Sequence, residues 1–198
     1  MHASPATRVA WAVVLGATLW LPVSARAQAQ PATAVTPNSQ STIWLAASIG
    51  GGAARLACDI CEPARELGPA VDLSFGSHAT PHLRVGIEAG GWTHDDDGSR
   101  ESGYRAGVIA ALRPDLSRGV YLHGGFGWQR YQAGDFHYDA PRLSLGLGWD
   151  HLLGDHLRVG NQLTVDASSF GTLRRDDTSV ARNVGLSLVR LSVQLLRP

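Results

Sequence analysis

The chain has 198 residues, and its 17 arginines, with no lysine, balance 17 aspartates and glutamates, so the formal net charge is zero. This balance lacks the basic footprint of a nucleic-acid-binding protein. The mean hydropathy of −0.05, together with the absence of any apolar run of about 20 residues, excludes a bundle of membrane-spanning helices. A membrane β-barrel stays compatible with this composition, because its strands are only half apolar.

The first 27 residues contain the three parts of a secretory signal peptide. Arg8 supplies the positive start, residues 9–21 form an apolar run, and Ala25-Arg26-Ala27 provides the small-residue cleavage site. The run is shorter than the roughly 20 residues of a spanning helix. We therefore predict a cleaved signal peptide at 1–27, a flexible leader rich in Pro, Ala, Ser and Gln at 28–41, and one folded domain at 42–198.

From residue 42 onward, apolar residues alternate with polar residues or glycine. The stretch HLRVGIEAGGW at 82–92 is the clearest case, with Leu, Val, Ile and Ala on one parity and Arg, Gly and Glu on the other. A period of two predicts strands with two different faces. We predict eight strands: Thr42–Ala54, Ala70–His78, His82–His94, Gly103–Arg113, Gly119–Tyr131, Pro141–Asp150, His156–Ala167 and Asn183–Leu196.

The eighth predicted strand has an irregular first half. Val184, Leu186 and Leu188 share the parity of Arg190, whereas the apolar residues after Arg190 take the other parity. Two interpretations remain: a β-bulge near Leu188 reverses the faces, or the early part belongs to the preceding loop.

The predicted connections alternate between short and long. Short ones lie at 79–81, 114–118 and 151–155, and longer ones at 55–69, 95–102, 132–140 and 168–182. This layout is typical of an outer-membrane barrel, whose periplasmic turns are short and whose outer loops are long. An even number of strands would place both chain ends on the periplasmic side.

The two faces decide whether the barrel meets lipid or water. The polar face carries charges and many glycines, and glycine suits the crowded concave side of a narrow barrel. We therefore predict an all-β fold, an eight-stranded antiparallel up-and-down transmembrane β-barrel with its aliphatic face towards lipid. The alternative is a soluble lipocalin-like barrel with its apolar face inward.

Eight charged residues are predicted to line the lumen: Asp72, Arg84, Glu88, Arg105, Asp150, Arg158, Asp166 and Arg190. Charges in so narrow a space need partners, so we predict a salt-bridge network that plugs the lumen; the alternative is a narrow or gated ion path. Arg84 and Glu88 lie about 13 Å apart along one strand, too far to pair with each other. The flanking candidates for partners are Asp72 and Arg105.

The pattern, including YLHGGFGW at 121–128, resembles the small eight-stranded outer-membrane β-barrel proteins, such as the transmembrane domain of outer-membrane protein A. The resemblance covers about 42–196 and implies an integral protein of a Gram-negative outer membrane, in contact with outer-membrane lipid and the assembly machinery. Such barrels usually end in an aromatic residue. This chain departs from them by ending in Leu195-Leu196-Arg197-Pro198.

The only cysteines, Cys58 and Cys61, form a C-x-x-C pair in the first long loop. Neither a thioredoxin-like βαβ pattern nor a following histidine for haem attachment accompanies them, and one pair lacks the four ligands of structural zinc. We predict a local disulfide formed in an oxidising compartment, with a redox or metal role as the alternative. The charge run His94-Asp95-Asp96-Asp97 is expected to be solvated, so no metal or cofactor is expected.

An enzymatic role has little support in the sequence. Some small outer-membrane barrels modify lipid A with a His and a Ser near the outer rim, where this chain has His94, His137, Ser102 and Ser169. No spacing pairs them, and no G-x-S-x-G elbow occurs. The sequence therefore predicts a non-enzymatic protein with a structural or surface-interaction role. The second hypothesis is a narrow channel for ions or small solutes, and the third is a lipid A-modifying enzyme. The surface ligand is left open.

Overall fold

The computed structural model describes residues 43–58, 61, 64–96, 99–117, 119–176 and 178–197. The predicted signal peptide at 1–27 and leader at 28–41 lie outside these residues. The described chain forms eight strands: β1 Ile43–Ala57, β2 Glu66–Thr80, β3 Leu83–Asp96, β4 Ser99–Leu112, β5 Val120–Ala133, β6 Phe136–Leu152, β7 Arg158–Arg175 and β8 Thr178–Arg197.

Each strand pairs antiparallel with the next one in sequence, and β8 pairs antiparallel with β1 to close the barrel. A closed barrel satisfies every strand edge by hydrogen bonding. The predicted fold class, an all-β eight-stranded antiparallel up-and-down barrel, is therefore confirmed. Among the described residues, none lies in a helix with the length and apolar character to cross a membrane.

The strands are longer than the sequence predicted, at 14 to 20 residues. Three of the four predicted long loops are wrong: β3 and β4 leave only 97–98 between them, β5 and β6 leave 134–135, and β7 and β8 leave 176–177. Only β1 and β2 have a longer connection, at 58–65. We call this end of the molecule the hairpin end; the opposite end carries the connections 81–82, 113–119 and 153–157.

The loop predictions failed because they ended each strand where the apolar alternation ended. Backbone pairing does not depend on side-chain polarity, and the ladders continue through polar pairs such as Asp95 opposite Arg100. Gly134 and Asp176 at the hairpin tips have φ of 54° and 50°. Such left-handed residues are typical of tight hairpin turns.

The aliphatic parity faces outward, as predicted. Leu73, Phe126 and Leu145 are 63%, 61% and 62% exposed, whereas the residues of the opposite parity are largely buried inside the barrel. Glycines on the inner parity permit close backbone approach: Gly107 and Gly127 face each other on β4 and β5, and a Cβ on Gly127 would lie 2.6 Å from the Cα of Gly107.

The eighth strand resolves the parity problem without a bulge at Leu188. Its pairing with β1 runs without a break from Leu45 opposite Arg197 to Ala57 opposite Gly185. Val184, Leu186 and Leu188 therefore point inward with Arg190, and all four are buried. Both interpretations offered for this stretch are wrong, because they assumed an entirely polar interior.

The interior is layered along the barrel axis. At the hairpin end lies an apolar layer, in the middle a set of charged side chains, and at the opposite end a small cluster of Trp44, Ala46 and Leu196. The apolar layer contains Ala54, Ala70, Trp92, Tyr131, Tyr138, Ala140, Leu173, Val184, Leu186 and Leu188.

Candidate functional site

Six charged side chains from six strands meet in the middle of the lumen. We call them the charge network: Asp72, Glu88, Arg105, Arg142, Asp166 and Arg190. Asp166 is its centre, because Arg142 Nη1 and Arg190 Nη2 each lie 2.8 Å from one of its carboxylate oxygens, and Arg105 Nε lies 4.0 Å away.

The other members of the charge network are also ion-paired. Asp72 forms ion pairs with Arg105 and Arg190, and Glu88 forms one with Arg142. Three carboxylates thus meet three guanidinium groups, so the charge network is neutral. Its centre is inaccessible to solvent, with Asp166 and Arg142 0% and 1% exposed.

The lumen beside the charge network is tightly filled. A cavity of about 30 Å³, lined among others by Asp72, Arg84, Glu88 and His123, lies next to it. This is about the share of volume that one water molecule has in the liquid. Tyr121 continues the filling towards the opposite end, because its hydroxyl lies 3.0 Å from the side-chain oxygens of both Gln162 and Gln194.

A second, smaller ion cluster lies at the opposite end. Asp150 contacts Arg113 Nη2 at 2.5 Å and Arg158 Nε at 2.7 Å. Asp150 lies in β6, whereas Arg158 begins β7 and Arg113 directly follows β4. The cluster therefore links β6 to the chain at two of the connections of the opposite end.

Arg84 lies apart from both ion clusters. Its guanidinium stacks over the rings of Trp44 and Tyr121, 5.5 Å and 5.3 Å from their centroids, an arrangement that favours a cation electrostatically. Within the part of the chain that the structure describes, no carboxylate lies within 4.0 Å of it, and its Nη1 finds no hydrogen-bond acceptor.

The partners expected from neighbouring strands are therefore wrong for Arg84 and Glu88. Asp72 lies opposite Gly90, six residues beyond Arg84 on the same strand, and Glu88 reaches across the lumen to Arg142 on β6 rather than to Arg105. In a narrow barrel, a long side chain contacts strands that are not its neighbours.

Sequence reasoning missed Arg142 and Arg113. Arg142 has the parity of Asp150, which is predicted to face the lumen, so the alternation rule extended to the start of the same strand identifies Arg142 as well. The predicted strand begins at Pro141, directly before Arg142, whereas β6 already begins at Phe136. Arg113 ends the predicted strand Gly103–Arg113 and shares the inward parity of Arg105.

The structure places the two cysteines in a disulfide, with their Cα atoms 5.1 Å apart. The backbone N–H of Cys61 also donates a hydrogen bond of 3.2 Å to the carbonyl oxygen of Cys58. The bond lies in the connection 58–65, beside the open hairpin end of the barrel.

Two of the residues considered for metal binding or catalysis, His94 and Asp95, have other partners. His94 Nε2 lies 3.1 Å from Glu66 Oε2 and its Nδ1 lies 2.7 Å from the carbonyl oxygen of Leu67. Asp95 lies 3.9 Å from Arg100, and Asp97 is outside the described residues. In the described ranges, no group of three potential metal ligands occurs, and no hydrogen bond joins His94 or His137 to Ser102 or Ser169.

The hairpin end contains a feature that the sequence did not predict. A cavity of about 310 Å³ opens there, bounded by the ends of several strands and by the connection that holds the disulfide. We call it the mouth cavity. Its lining is mostly apolar, including Leu56, Phe136 and Leu173, and it also contains the carboxylates of Glu66 and Glu101.

Comparison with known proteins identifies the fold. Neisserial surface protein A matches with a TM-score of 0.57 and 13% identity, over 79% of this chain and 97% of that protein. OprG from Pseudomonas aeruginosa matches with a TM-score of 0.47 and 10% identity, over 78% and 94% of the two chains. Ail, the attachment invasion locus protein of Yersinia pestis, matches with a TM-score of 0.45 and 11% identity, over 76% of this chain and 97% of that protein.

No protein-family model matches the chain, and no curated protein is significantly similar to it. The likeness therefore lies in three-dimensional structure. Together with the closed eight-strand topology, it shows that this chain has the fold of the small eight-stranded outer-membrane β-barrels.

Proposed function

We propose that this protein is a non-enzymatic integral outer-membrane β-barrel whose lumen is plugged by the charge network. Its outward face is a continuous belt of aliphatic and aromatic side chains, including Leu73, Phe126 and Leu145. Such a surface is stable in lipid and exposes too much apolar area for a free soluble protein. In this proposal, the opposite end of the barrel faces the periplasm, with the start of β1, the end of β8 and the connections 81–82, 113–119 and 153–157. The hairpin end faces the outside of the cell.

The single observation that supports the plug is the neutral charge network. Three carboxylates and three guanidinium groups cross the lumen, and the adjoining cavity has only about 30 Å³. An eight-stranded barrel is just wide enough for its side chains to fill it. An ion that crossed this layer would have to break pairs that are shielded from water, which costs several kcal/mol.

The proposed role is structural or surface-interacting, with outer-membrane lipid and the assembly machinery as partners. A lipid A acyl-chain assay on the purified barrel tests the non-enzymatic part. We expect no change in acyl chains, and their hydrolysis or transfer would overturn this part of the proposal.

Planar-bilayer recordings test the plug. We expect the wild-type protein to conduct weakly and Arg142→Ala to conduct more strongly, because the substitution removes the bridge between Glu88 and Asp166. Arg130→Ala is the matched control, since Arg130 pairs with Asp139 on the outer surface, away from the lumen. Strong wild-type conductance that Arg142→Ala leaves unchanged would instead favour the narrow channel for ions or small solutes.

A further inference from the structure

We propose that the mouth cavity binds a small amphipathic molecule that carries a primary ammonium group on an apolar body. This inference goes beyond the plugged barrel, because the mouth cavity lies outside the charge network and its occupation does not depend on whether the lumen conducts.

The mouth cavity has the dimensions of a ligand site. Its volume of about 310 Å³ falls at the lower end of the range for small-molecule pockets. It is about ten times the volume of the cavity beside the charge network, so this end of the lumen is open where the middle is filled.

The mouth cavity is blind. Tyr131 and Leu173 belong both to its lining and to the apolar layer, and below them the buried side chains of Tyr138 and Leu186 occupy the lumen. A molecule that enters from the hairpin end therefore meets an apolar floor. This arrangement suits binding and does not suit passage.

The walls of the mouth cavity combine apolar side chains with two carboxylates. Leu56, Ala133 and Phe136 provide apolar contact, whereas the charged groups in the lining are the carboxylates of Glu66 and Glu101. Glu101 Oε2 accepts a hydrogen bond of 2.6 Å from the Tyr131 hydroxyl, and Glu66 Oε2 lies 3.1 Å from His94 Nε2. Within the described chain, neither carboxylate forms an ion pair with an arginine.

Three arginines of the hairpin end pair with other acids. Arg100 lies 3.9 Å from Asp95, Arg130 lies 2.8 Å from Asp139, and Arg175 lies 3.7 Å from Asp135. Arg65, next to Glu66, directs its Nη1 to the carbonyl oxygen of Ala53 at 3.3 Å. Among the described residues, the two carboxylates of the mouth cavity therefore have no arginine within 4.0 Å, and the cavity keeps their negative charge.

The chemistry of the occupant follows from this charge and shape. A primary ammonium group has three donors and no acceptor, so it can satisfy carboxylate oxygens that the protein leaves without an arginine partner. The ring of Tyr131 offers a further favourable contact to a cation. The apolar walls then bury the body of the ligand, whereas an anionic ligand would be repelled.

Ligand-observed ¹⁹F NMR with 4-fluorophenethylamine tests the proposal on the purified full barrel in lipid nanodiscs. We expect saturable binding of the amine and at least about tenfold weaker binding of the neutral 4-fluorophenethyl alcohol, the amount that loss of one ion pair of about 1.4 kcal/mol produces. Equal binding of amine and alcohol would overturn the ammonium assignment.

Two variants locate the site. Glu66→Gln combined with Glu101→Gln keeps the shape and removes the charge, so it should weaken amine binding at least about tenfold. Ala133→Trp fills the mouth cavity and should abolish binding. Asp139→Asn, which removes an acid from the outer surface, is the control and should bind the amine as the wild type does. Gel mobility before and after boiling verifies that each variant is folded, and undiminished binding by both folded mouth variants would overturn the proposal.

Discussion

The middle of the lumen and its hairpin end are filled by different kinds of side chain. In the middle, three carboxylates and three guanidinium groups fill the barrel and neutralise one another. At the hairpin end, aromatic and aliphatic side chains form the apolar layer, and above it a cavity of about 310 Å³ remains with two carboxylates that no arginine of the described chain neutralises. Within one barrel, the mutually paired charges thus lie where the lumen is filled, and the carboxylates without an arginine partner lie where a cavity remains.

The largest expected effect comes from breaking the centre of the charge network. Asp166→Ala leaves Arg142 and Arg190 with one carboxylate less. An uncompensated buried charge costs about 3–5 kcal/mol, so we expect the urea midpoint of the barrel in lipid vesicles to fall and the bilayer conductance to rise. The outer-surface variant Asp139→Asn should change neither quantity. A stable, non-conducting Asp166→Ala protein would show that the charge network does not close the lumen.

Truncation of a side chain in the apolar layer tests how much that layer contributes to stability and to closing the lumen. Leu186 is buried there, and Leu186→Ala should destabilise the barrel by about 2–4 kcal/mol through lost contacts and a new void. Urea titration monitored by gel shift measures this loss. Conductance should stay at the wild-type level, because the charge network beneath remains intact; a rise as large as that of Asp166→Ala would assign the seal to the apolar layer.

A smaller effect is expected where an aromatic ring lies over glycine. Gly148 lies opposite Tyr121, and an added Cβ would overlap the Tyr121 ring, 2.8 Å from its Cε1. Gly148→Ala should therefore cost about 1–3 kcal/mol by overpacking, measured as a shift in the urea midpoint. Gly124→Ala is the control, since its Cβ would meet Leu145 at an ordinary 3.6 Å. Equal midpoints for the two variants would contradict the tight packing at Tyr121.

The smallest effect is expected from the disulfide. Cys58 and Cys61 are three residues apart, and so short a loop restricts the unfolded chain little. The double variant Cys58→Ser, Cys61→Ser should lose at most about 2 kcal/mol and keep the mobility difference between boiled and unboiled samples. Loss of the folded band would mean that the disulfide in the connection 58–65 is needed for the stability of the whole barrel.

Much of the fold was accessible from the sequence, because strand periodicity is local. Alternation in stretches such as 83–90 identified the strands and their inward and outward faces without any knowledge of partners. The inward parity of Asp72, Arg105 and Asp166 followed from the same rule. The strand ends at the hairpin end were not accessible in this way, because backbone ladders such as Asp95 opposite Arg100 continue through polar residues.

The sequence alone was enough to identify eight strands, the apolar outer face and most of the charges that point inward, because each of these depends only on a residue and its near neighbours. Only the folded barrel shows that Glu88 pairs with Arg142 across the lumen, that Arg84 lies over the rings of Trp44 and Tyr121, and that the hairpin end holds an apolar layer and a cavity. These features depend on how the strands are staggered when the barrel closes, which brings residues more than 50 positions apart into contact.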